Sequence, residues 1–180
     1  MIKTLINSQI AKFERLYDYD MSYARELLDI DLKAMLLFNK VMPLAKYHRD
    51  IPVDAWFTAK IVGGMHEDCG PCTQLVVRMA EQAGVPAATL RAIVGRKPEQ
   101  LPEDARLAYR FAEAALAHSL EADPLREQIV KRWGRRALVS ISFALVTARI
   151  FPTLKYAMGY GKTCVRVEVG GQAQAVPQVA

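Results

Sequence analysis

The stretch MHEDCGPCTQLV, residues 65–76, carries two of the chain's three cysteines and one of its three histidines. Two cysteines separated by two residues can close a small disulfide ring and exchange that disulfide with a partner. A cysteine at a helix N-terminus is also favoured as a thiolate by the backbone N–H groups and the helix dipole. With Asp68 as the N-cap and an apolar helix running on to Ala80, the stretch predicts a redox dithiol, Cys69 and Cys72, at a helix start.

The composition is that of an ordinary globular protein. The chain has 180 residues, of which 52% are hydrophobic and 24% charged, so one domain with a sizeable core is expected. The net charge is +5 and the isoelectric point about 9.2. No nucleic-acid-binding motif accompanies the basic run, which favours a solvated helix end over a nucleic-acid interface. The run consists of Lys131, Arg132, Arg135 and Arg136.

Neither a signal peptide nor a membrane span is predicted. Residues 1–20 contain no continuous apolar region and no small-residue cleavage site. The longest apolar run, residues 137–148, is shorter than the roughly 20 residues that span a bilayer, and it predicts a buried helix. An odd number of cysteines with one C-x-x-C pair favours redox or metal chemistry over a structural disulfide framework. We therefore expect a cytoplasmic protein with no membrane association.

Helical periodicity dominates the rest of the chain. A first amphipathic helix is predicted over residues 2–17, and Ser22 is expected to cap a longer helix that ends before Pro43. A third helix is predicted from Pro52 to Gly63-Gly64. Further helices are expected to begin at Pro86, at Pro102 and at Asp123-Pro124, and the apolar helix is expected over 137–151, kinked or ended by Pro152.

Strand-like alternation is confined to residues 163–169, and the segment after it resembles a flexible tail. We therefore predict a single all-α domain over residues 1–162 and an irregular C-terminal tail over 163–180.

Two alternatives to a helical dithiol protein are considered. The tetrapeptide CGPC is the one that thioredoxins use, but a thioredoxin needs a strand before it and a parallel sheet behind it, and residues 56–64 are predicted to be helical. A zinc site is the second alternative, with His66, Cys69 and Cys72 as ligands and His48 or Cys164 as the fourth. Because the chain lacks a second C-x-x-C pair, we expect no metal.

The residues that follow the dithiol suggest a family. After Cys72 the chain reads MAEQAGVP at 79–86 and LRAIVG at 90–95, then LAYRFAEAALAH at 107–118 and WGRRALV at 133–139. In order and spacing these segments resemble the carboxymuconolactone decarboxylase and AhpD-like alkylhydroperoxidase superfamily over residues 50–155. The resemblance implies an AhpD-like helical bundle that assembles through its helices into a homo-oligomer, often a trimer or hexamer.

The resemblance also implies a chemistry. In AhpD-like members the second cysteine attacks a peroxide, the first resolves the sulfenic acid as a disulfide, and a partner dithiol reduces that disulfide. By resemblance Cys72 is the peroxidatic cysteine and Cys69 the resolving one, with no cofactor beyond their redox-active disulfide. The expected function is that of a thiol-dependent antioxidant oxidoreductase, which reduces a small peroxide or a partner disulfide.

The chain departs from the family at the proton relay. AhpD-like members carry a glutamate in the preceding helix and a histidine one turn beyond the second cysteine. Phe57 and Val76 occupy these positions here, and neither can transfer a proton. The mechanism of the family therefore cannot apply unchanged.

His66 and Glu67 are the candidate substitutes. In a continuous helix His66 would lie one turn before Cys69, where an imidazole can act as a base or as a cation that lowers the pKa of a thiol. The competing interpretation is that Gly63-Gly64 break the helix and leave both side chains in a solvent-facing loop.

Two other functions remain open. A carboxymuconolactone-decarboxylase-like enzyme would use other polar pocket residues, and the intact C-x-x-C pair counts against it. A non-catalytic helical oligomer that senses redox state is favoured by the loss of both relay groups.

Several further residues receive structural interpretations. His48 is expected to be solvated and His118 to cap a helix end. Arg149 lies in an apolar helix and is expected to snorkel, with pairing to Glu67 or Asp68 as the alternative. Cys164 lies outside any motif, and Trp56 and Phe57 are expected in the core.

Overall fold

The computed structural model describes residues 1–162 and 166–177. Within them the chain is mostly helical, with a single two-stranded sheet, which confirms the all-α fold class. Residues 166–175 form an antiparallel β-hairpin with Arg166 opposite Ala175. The elements are α1 (Ile2–Tyr17), α2 (Ser22–Ile30), α3 (Leu32–Phe38), α4 (Val41–Ala45), α5 (Val53–His66), α6 (Gly70–Gln82), α7 (Ala87–Val94), a 3₁₀ turn (Pro98–Gln100), α8 (Glu103–Leu116), α9 (Ala122–Trp133), α10 (Arg135–Ala157), β1 (Arg166–Val169) and β2 (Gln172–Ala175).

The main core forms around α5, which packs against both α8 and α10. Residues on every side of α5 are buried, and a helix that is apolar all round belongs in the interior of a protein. Helices α7 and α9, the buried side of α6 and the β-hairpin complete this main core. Its fully buried side chains include Ile61, Leu90, Ile93, Ile129 and Ile141.

Helix α5 continues through Gly63-Gly64 to His66, so the predicted break at the two glycines is wrong. A Cβ on Gly63 would lie 3.1 Å from Ala148 Cβ and 3.2 Å from the Leu145 carbonyl oxygen. The absent side chain therefore lets α5 approach α10 closely. Gly63 therefore serves helix packing, and neither glycine ends the helix.

A smaller N-terminal layer, residues 1–38, covers the main core. Its own apolar cluster consists of Ile6, Ile10, Tyr19, Tyr23, Ala24, Leu28 and Met35. The predicted long second helix is wrong, because the chain forms three helices, α2, α3 and α4, before residue 46. Asp31 separates the first two: its backbone is extended, and its carboxylate accepts a hydrogen bond from the Lys33 N–H as the N-cap of α3.

Helix α10 is longer than the apolar run predicted. It passes through Pro152, which was expected to kink or end it, and continues to Ala157. By length and composition α10 is apolar enough to cross a membrane, although 39% of its most apolar window is buried inside the protein. Its inner face supplies Ala137, Ile141 and Ala144 to the main core. A long core helix can be as apolar as a membrane span, so the composition of α10 is weak evidence for a membrane.

The basic run lies at the junction of α9 and α10, and its four side chains are exposed. Arg132 pairs with Glu103 and Asp104, and Arg136 pairs with Asp50. The interpretation as a solvated helix end therefore agrees with the structure.

The C-terminal segment is more ordered than the predicted irregular tail. Residues 166–175 form the β-hairpin, and the side chains of Val167 and Val169 are buried in the main core. The Gln74 side chain of α6 donates to the carbonyl of Glu168 and accepts from its N–H, which fixes β1 against α6. The sequence of β2, QAQA, contains no β-branched or aromatic residue, so propensity gives no sign of a strand there. Cys164 lies outside the described residues.

Candidate active site

The two cysteines are joined as a disulfide at the start of α6. Cys69 is the N-cap residue with an extended backbone, and Cys72 lies in the first helical turn. Pro71 between them suits this turn, because a proline at the start of a helix removes an N–H that would have no partner there. Cys69 is 0% exposed and Cys72 6% exposed. The predicted dithiol at a helix start is present, but it is nearly enclosed.

The prediction that Asp68 is the N-cap of α6 is wrong. It adopts a left-handed backbone with φ of 48°, so that the chain turns between α5 and α6 and Cys69 takes the N-cap position instead. The Tyr156 hydroxyl of α10 donates to the Asp68 carbonyl at 2.8 Å, and the Gly70 N–H donates to the Lys162 carbonyl at 3.1 Å. The region around the C-terminal end of α10 therefore holds the backbone on both sides of Cys69.

Tyr19 contacts the disulfide from the N-terminal layer. Its hydroxyl oxygen lies 3.6 Å from Cys72 Sγ, and both groups are buried. A disulfide sulfur carries no hydrogen, so Tyr19 must be the donor and Cys72 Sγ the acceptor. Burial raises the pKa of Tyr19 far above its ordinary value, and nearby Tyr23 and Asp20 add to the effect. The phenol therefore stays protonated and keeps its donor.

Lys155 of α10 completes a hydrogen-bond chain. Its Nζ donates to the Tyr19 hydroxyl oxygen at 3.2 Å, and only 3% of the residue is exposed. The same Nζ lies 4.6 Å from the ring centroid of Tyr19 and 5.4 Å from that of Tyr23. Burial lowers the pKa of Lys155, while the Asp20 carboxylate opposes that shift. The order of donation is therefore Lys155 to Tyr19 to Cys72.

Arg78 holds the loop that carries Tyr19. Its guanidinium, projecting from α6, donates to the carbonyl oxygens of Tyr17 and Asp18 and pairs with the Asp18 carboxylate at 3.2 Å. Asp18 itself has a left-handed backbone with φ of 46°, an arrangement that non-glycine residues seldom adopt. One helix therefore supplies both the disulfide and the anchor for the side chain above it.

His66 and Glu67 do not take the geometry expected of them. Helix α5 ends at His66 and α6 begins at Gly70, so His66 and Cys69 share no continuous helix. His66 Nδ1 lies 3.7 Å from Glu67 Oε1, and its side chain is 44% exposed. Their catalytic roles stay predictions without a contact that supports them in the described part of the chain.

Glu67 is engaged by α10. Arg149 Nε donates to its carboxylate at 2.5 Å, and the Thr153 hydroxyl donates at 3.0 Å. Burial opposes ionisation of Glu67, but these donors and the charge of Arg149 outweigh it and lower the pKa. Arg149 is thus paired with Glu67, and the preference for snorkelling is wrong. The pair joins the end of α5 to α10.

The positions of the family's relay are apolar in space as well as in sequence. Phe57 is buried in the main core, and Val76 is partly buried against it. Trp56 is also a core residue, as predicted, and its indole N–H donates to the Tyr47 carbonyl at 3.1 Å. Neither relay position therefore offers a group that could transfer a proton.

His48 lies at an exposed position, as expected, and His118 is also exposed, while its capping role stays a prediction. His48 Nε2 lies 2.7 Å from the Ile51 carbonyl oxygen, and His118 follows the end of α8. Across residues 1–162 and 166–177, no group of three or more His, Cys, Asp or Glu side chains is placed to hold a metal ion.

Sequence reasoning missed Tyr19 and Lys155. Both come from parts of the chain far from the dithiol, so no spacing rule connects them to it. One signal was present for Lys155: a lysine within a long apolar helix is seldom buried unless a partner satisfies it. Tyr19 lies in the polar segment YDYD at 17–20, which carries no comparable signal.

Comparison with known proteins adds no relative to this description. No family model matches the chain, no curated protein matches it, and no solved structure matches it. What the site can do is therefore argued from its own geometry.

Proposed function

We propose that the protein is a thiol-dependent oxidoreductase of alkylhydroperoxidase type, in which Cys69 and Cys72 alternate between dithiol and disulfide. The observation that carries this proposal is the Cys69–Cys72 disulfide at the start of α6 with a protein donor, Tyr19, on the Cys72 sulfur. A hydrogen bond to a sulfur favours its negatively charged form. The resemblance of residues 50–155 to the AhpD-like superfamily agrees with this function.

The proposed cycle has three steps: peroxide reduction, disulfide formation and reduction of the disulfide. The Cys72 thiolate attacks a peroxide oxygen, an S–O bond forms, the O–O bond breaks, and the departing alkoxide takes a proton to become an alcohol. The Cys69 thiolate then attacks the Cys72 sulfenic acid, which forms the disulfide and releases hydroxide, protonated to water. An external dithiol returns the pair to the reduced state by giving up two electrons and two protons, and it becomes a disulfide itself.

Burial of the disulfide favours a small substrate. With Cys69 fully buried and Cys72 6% exposed, a small peroxide needs less opening of the site than a folded disulfide partner does. Reduction by an external dithiol requires access to one of the two buried sulfurs, so we expect the site to open locally for it. The first substrate class to test is therefore a hydroperoxide, and the second is a partner disulfide.

A redox sensor is the second candidate function. The burial of both cysteines and the apolar relay positions, Phe57 and Val76, favour a disulfide that forms slowly and changes the packing of the protein instead of turning over. A lactone decarboxylase has no comparable observation in its favour.

Homo-oligomer formation belongs to the same proposal. Large apolar side chains are exposed on α1, α3 and α10, and burial of such a surface favours association. They include Leu5, Leu16, Leu37, Val139 and Val146. We propose a trimer or hexamer in the cytoplasm, which light scattering of the reduced and oxidised protein tests directly; a monomer in both states would contradict it.

Activity measurements on cysteine variants distinguish the functions. Consumption of hydrogen peroxide and of cumene hydroperoxide is followed with excess dithiothreitol in the wild type and in Cys72→Ser, Cys69→Ser and Cys164→Ser. For a peroxidase we expect Cys72→Ser to lose turnover and Cys164→Ser to keep it. Cys69→Ser should accumulate a sulfenic acid on Cys72, which dimedone labels and mass spectrometry locates.

The contrary outcomes are equally clear. Equal peroxide consumption by the wild type and Cys72→Ser would contradict the peroxidase function. A disulfide that forms once, without turnover, and alters the mass of the assembly would establish the sensor instead.

A further inference from the structure

We propose that Tyr19, positioned by Lys155, stabilises the thiolate of Cys72 and thereby makes Cys72 the sulfur that leaves when the disulfide is opened. This inference rests on the proposed dithiol chemistry and gives it a direction. Tyr19 touches the reacting sulfur, whereas Lys155 acts through Tyr19 as a positioning residue.

The hydrogen bonds from Lys155 to Tyr19 and from Tyr19 to Cys72 run in one direction. Lys155 Nζ donates to the Tyr19 oxygen at 3.2 Å, which leaves the phenol hydrogen free to point at Cys72 Sγ at 3.6 Å. A chain of donors that ends on one atom stabilises negative charge on that atom. The acceptor is neutral in the disulfide and becomes anionic when the S–S bond breaks, so the contact strengthens along the reaction.

The two sulfurs of the disulfide differ in their hydrogen-bond donors. In the described residues the donor from the N-terminal layer is recorded on Cys72 and not on Cys69. In thiol–disulfide exchange the sulfur with the more stable thiolate leaves. An external thiolate therefore attacks Cys69 Sγ, a bond forms between these two sulfurs, and the electron pair of the S–S bond remains on Cys72.

The charged groups around Lys155 act on it in opposite directions. Burial lowers the pKa of Lys155 and the Lys162 ammonium adds to this shift, whereas the Asp20 carboxylate opposes it. Tyr23 faces the same Nζ with its ring and has a pKa raised to about 12 by burial. Arg78, which also lies near the loop, is held by Asp18. Lys155 is thus the cation whose Nζ points directly to the Tyr19 oxygen.

Tyr19 differs in its place in the chain from the proton relay of the resembled family. The residues that a relay of the resembled family would use, Phe57 and Val76, are packed into the main core. Tyr19 contacts Cys72 Sγ from the N-terminal layer. The donor therefore comes from a part of the chain outside residues 50–155, the stretch that carries the family resemblance.

The test measures the thiol pKa of Cys72 directly. In a Cys69→Ser background, where Cys72 is the remaining cysteine of the pair, the rate of alkylation by iodoacetamide is followed from pH 5 to 10, with Cys164→Ser included to remove the third thiol. Tyr19→Phe deletes one oxygen and keeps the ring. Tyr23→Phe is the matched control, because it deletes a buried phenol hydroxyl but keeps the ring that faces Lys155, and the hydrogen bond to Cys72 Sγ in the described residues comes from Tyr19.

We expect Tyr19→Phe to raise the midpoint of alkylation by about one pH unit, the size of a hydrogen bond to a charged group. Tyr23→Phe should leave the midpoint unchanged. Lys155→Met should produce a smaller rise and Lys155→Arg should restore part of it, a pattern that a merely structural role for the lysine would not produce.

A second measurement requires no removal of Cys69. The oxidised wild type is treated with a small thiol and quenched with acid, and the mixed disulfide is mapped by mass spectrometry. We expect the adduct on Cys69 in the wild type and in Tyr23→Phe, and an adduct on both sulfurs in Tyr19→Phe. Adducts on Cys72 in the wild type, or equal alkylation midpoints in Tyr19→Phe and Tyr23→Phe, would overturn the inference.

The two proposals fail separately. Peroxide turnover that depends on Cys72, combined with no shift in Tyr19→Phe, overturns the role of Tyr19 and leaves the oxidoreductase standing. If Tyr19→Phe shifts the alkylation midpoint of Cys72 but the protein does not turn over peroxide, the stabilised thiolate is supported and the peroxidase function is contradicted.

Discussion

The main core and the N-terminal layer differ in what holds them together. The main core surrounds a buried helix, α5, and fills with aliphatic side chains such as Ile61 and Ile141. The N-terminal layer has a short apolar cluster with two tyrosines, and polar contacts fasten it, among them the Arg78 anchor on the Tyr17–Asp18 loop. The disulfide lies where the two regions meet, on α6.

This difference teaches where rigidity and access are located. Helix α6 gives Val77 and Ala80 to the main core, which fixes Cys69 and Cys72 in place, while Leu75 packs against the N-terminal layer. A layer with few buried apolar contacts opens at lower free energy than the core beneath it. We therefore expect the main core to hold the disulfide in place and the opening of the N-terminal layer to govern access to it.

The largest expected effect comes from Ile141→Ala in the main core. The side chain is 0% exposed, and truncation of a buried isoleucine to alanine destabilises a protein by about 2–5 kcal/mol. Leu28→Ala is the matched substitution in the N-terminal layer, also at a position 0% exposed. Urea unfolding at fixed protein concentration measures both.

Hydrogen exchange separates the two variants. For Leu28→Ala we expect faster amide exchange in α1, α2 and α3, with α8 and α10 still protected, and faster reduction of the disulfide. For Ile141→Ala we expect faster exchange throughout. Equal exchange of α1 and α10 in Leu28→Ala would show that layer and core unfold together, and the comparison would be lost.

The second-largest expected change in stability comes from Gly63→Ala, at the point where α5 and α10 pack closely. In Gly63→Ala the new methyl meets Ala148 Cβ and the Leu145 carbonyl at 3.1 and 3.2 Å, and overpacking of this kind is destabilising by about 1–3 kcal/mol. Gly64→Ala is the matched control, because its Cβ meets Thr73 Oγ1 at 3.5 Å, an ordinary contact. There the higher helix propensity of alanine should stabilise by up to about 1 kcal/mol.

Opposite signs for these neighbouring glycines would establish the close contact as the reason for Gly63. Thermal unfolding followed by circular dichroism gives both values in one experiment. Stabilisation by both substitutions would mean that α5 and α10 are more loosely packed than the structure has them.

The two regions also differ in how far the sequence reveals them. In the main core, helix periodicity with proline and glycine punctuation predicts α7, α8 and α9 well, because each helix has an apolar face and a defined start. In the N-terminal layer, the same reasoning merges α2 and α3. It misses Asp31, whose carboxylate starts a new helix by a local hydrogen bond that periodicity does not register.

The candidate site divides in the same way. Cys69 and Cys72 are found from the sequence, because a C-x-x-C pair before an apolar helix is a local pattern. Tyr19 and Lys155 are not, because their contact with the disulfide depends on how α10 and the N-terminal layer meet over α6. The roles expected of His66 and Glu67 assumed a continuous helix, whereas Asp68 turns the chain between them and Cys69.

The smallest expected effect tests the ion pair at the edge of the main core. The donors Arg149 and Thr153 outweigh the burial of Glu67 and hold its pKa below the ordinary value. A depressed folded-state pKa means that the pair stabilises the fold above the unfolded-state pKa of about 4.3 and loses this contribution as the pH falls through the lower folded-state value. Partly exposed ion pairs of this type contribute up to about 1 kcal/mol.

Glu67→Gln should therefore lower the free energy of unfolding by up to about 1 kcal/mol at pH 7, and the difference from the wild type should shrink below pH 4. Glu127→Gln, at an exposed position of α9, should produce no such pH-dependent difference. Because Glu67 joins α5 to α10 and not to the N-terminal layer, the alkylation midpoint of Cys72 should stay unchanged. A shift of that midpoint in Glu67→Gln would instead return Glu67 to the catalytic role expected from the sequence, and it would mean that the main core also sets the reactivity of the thiol.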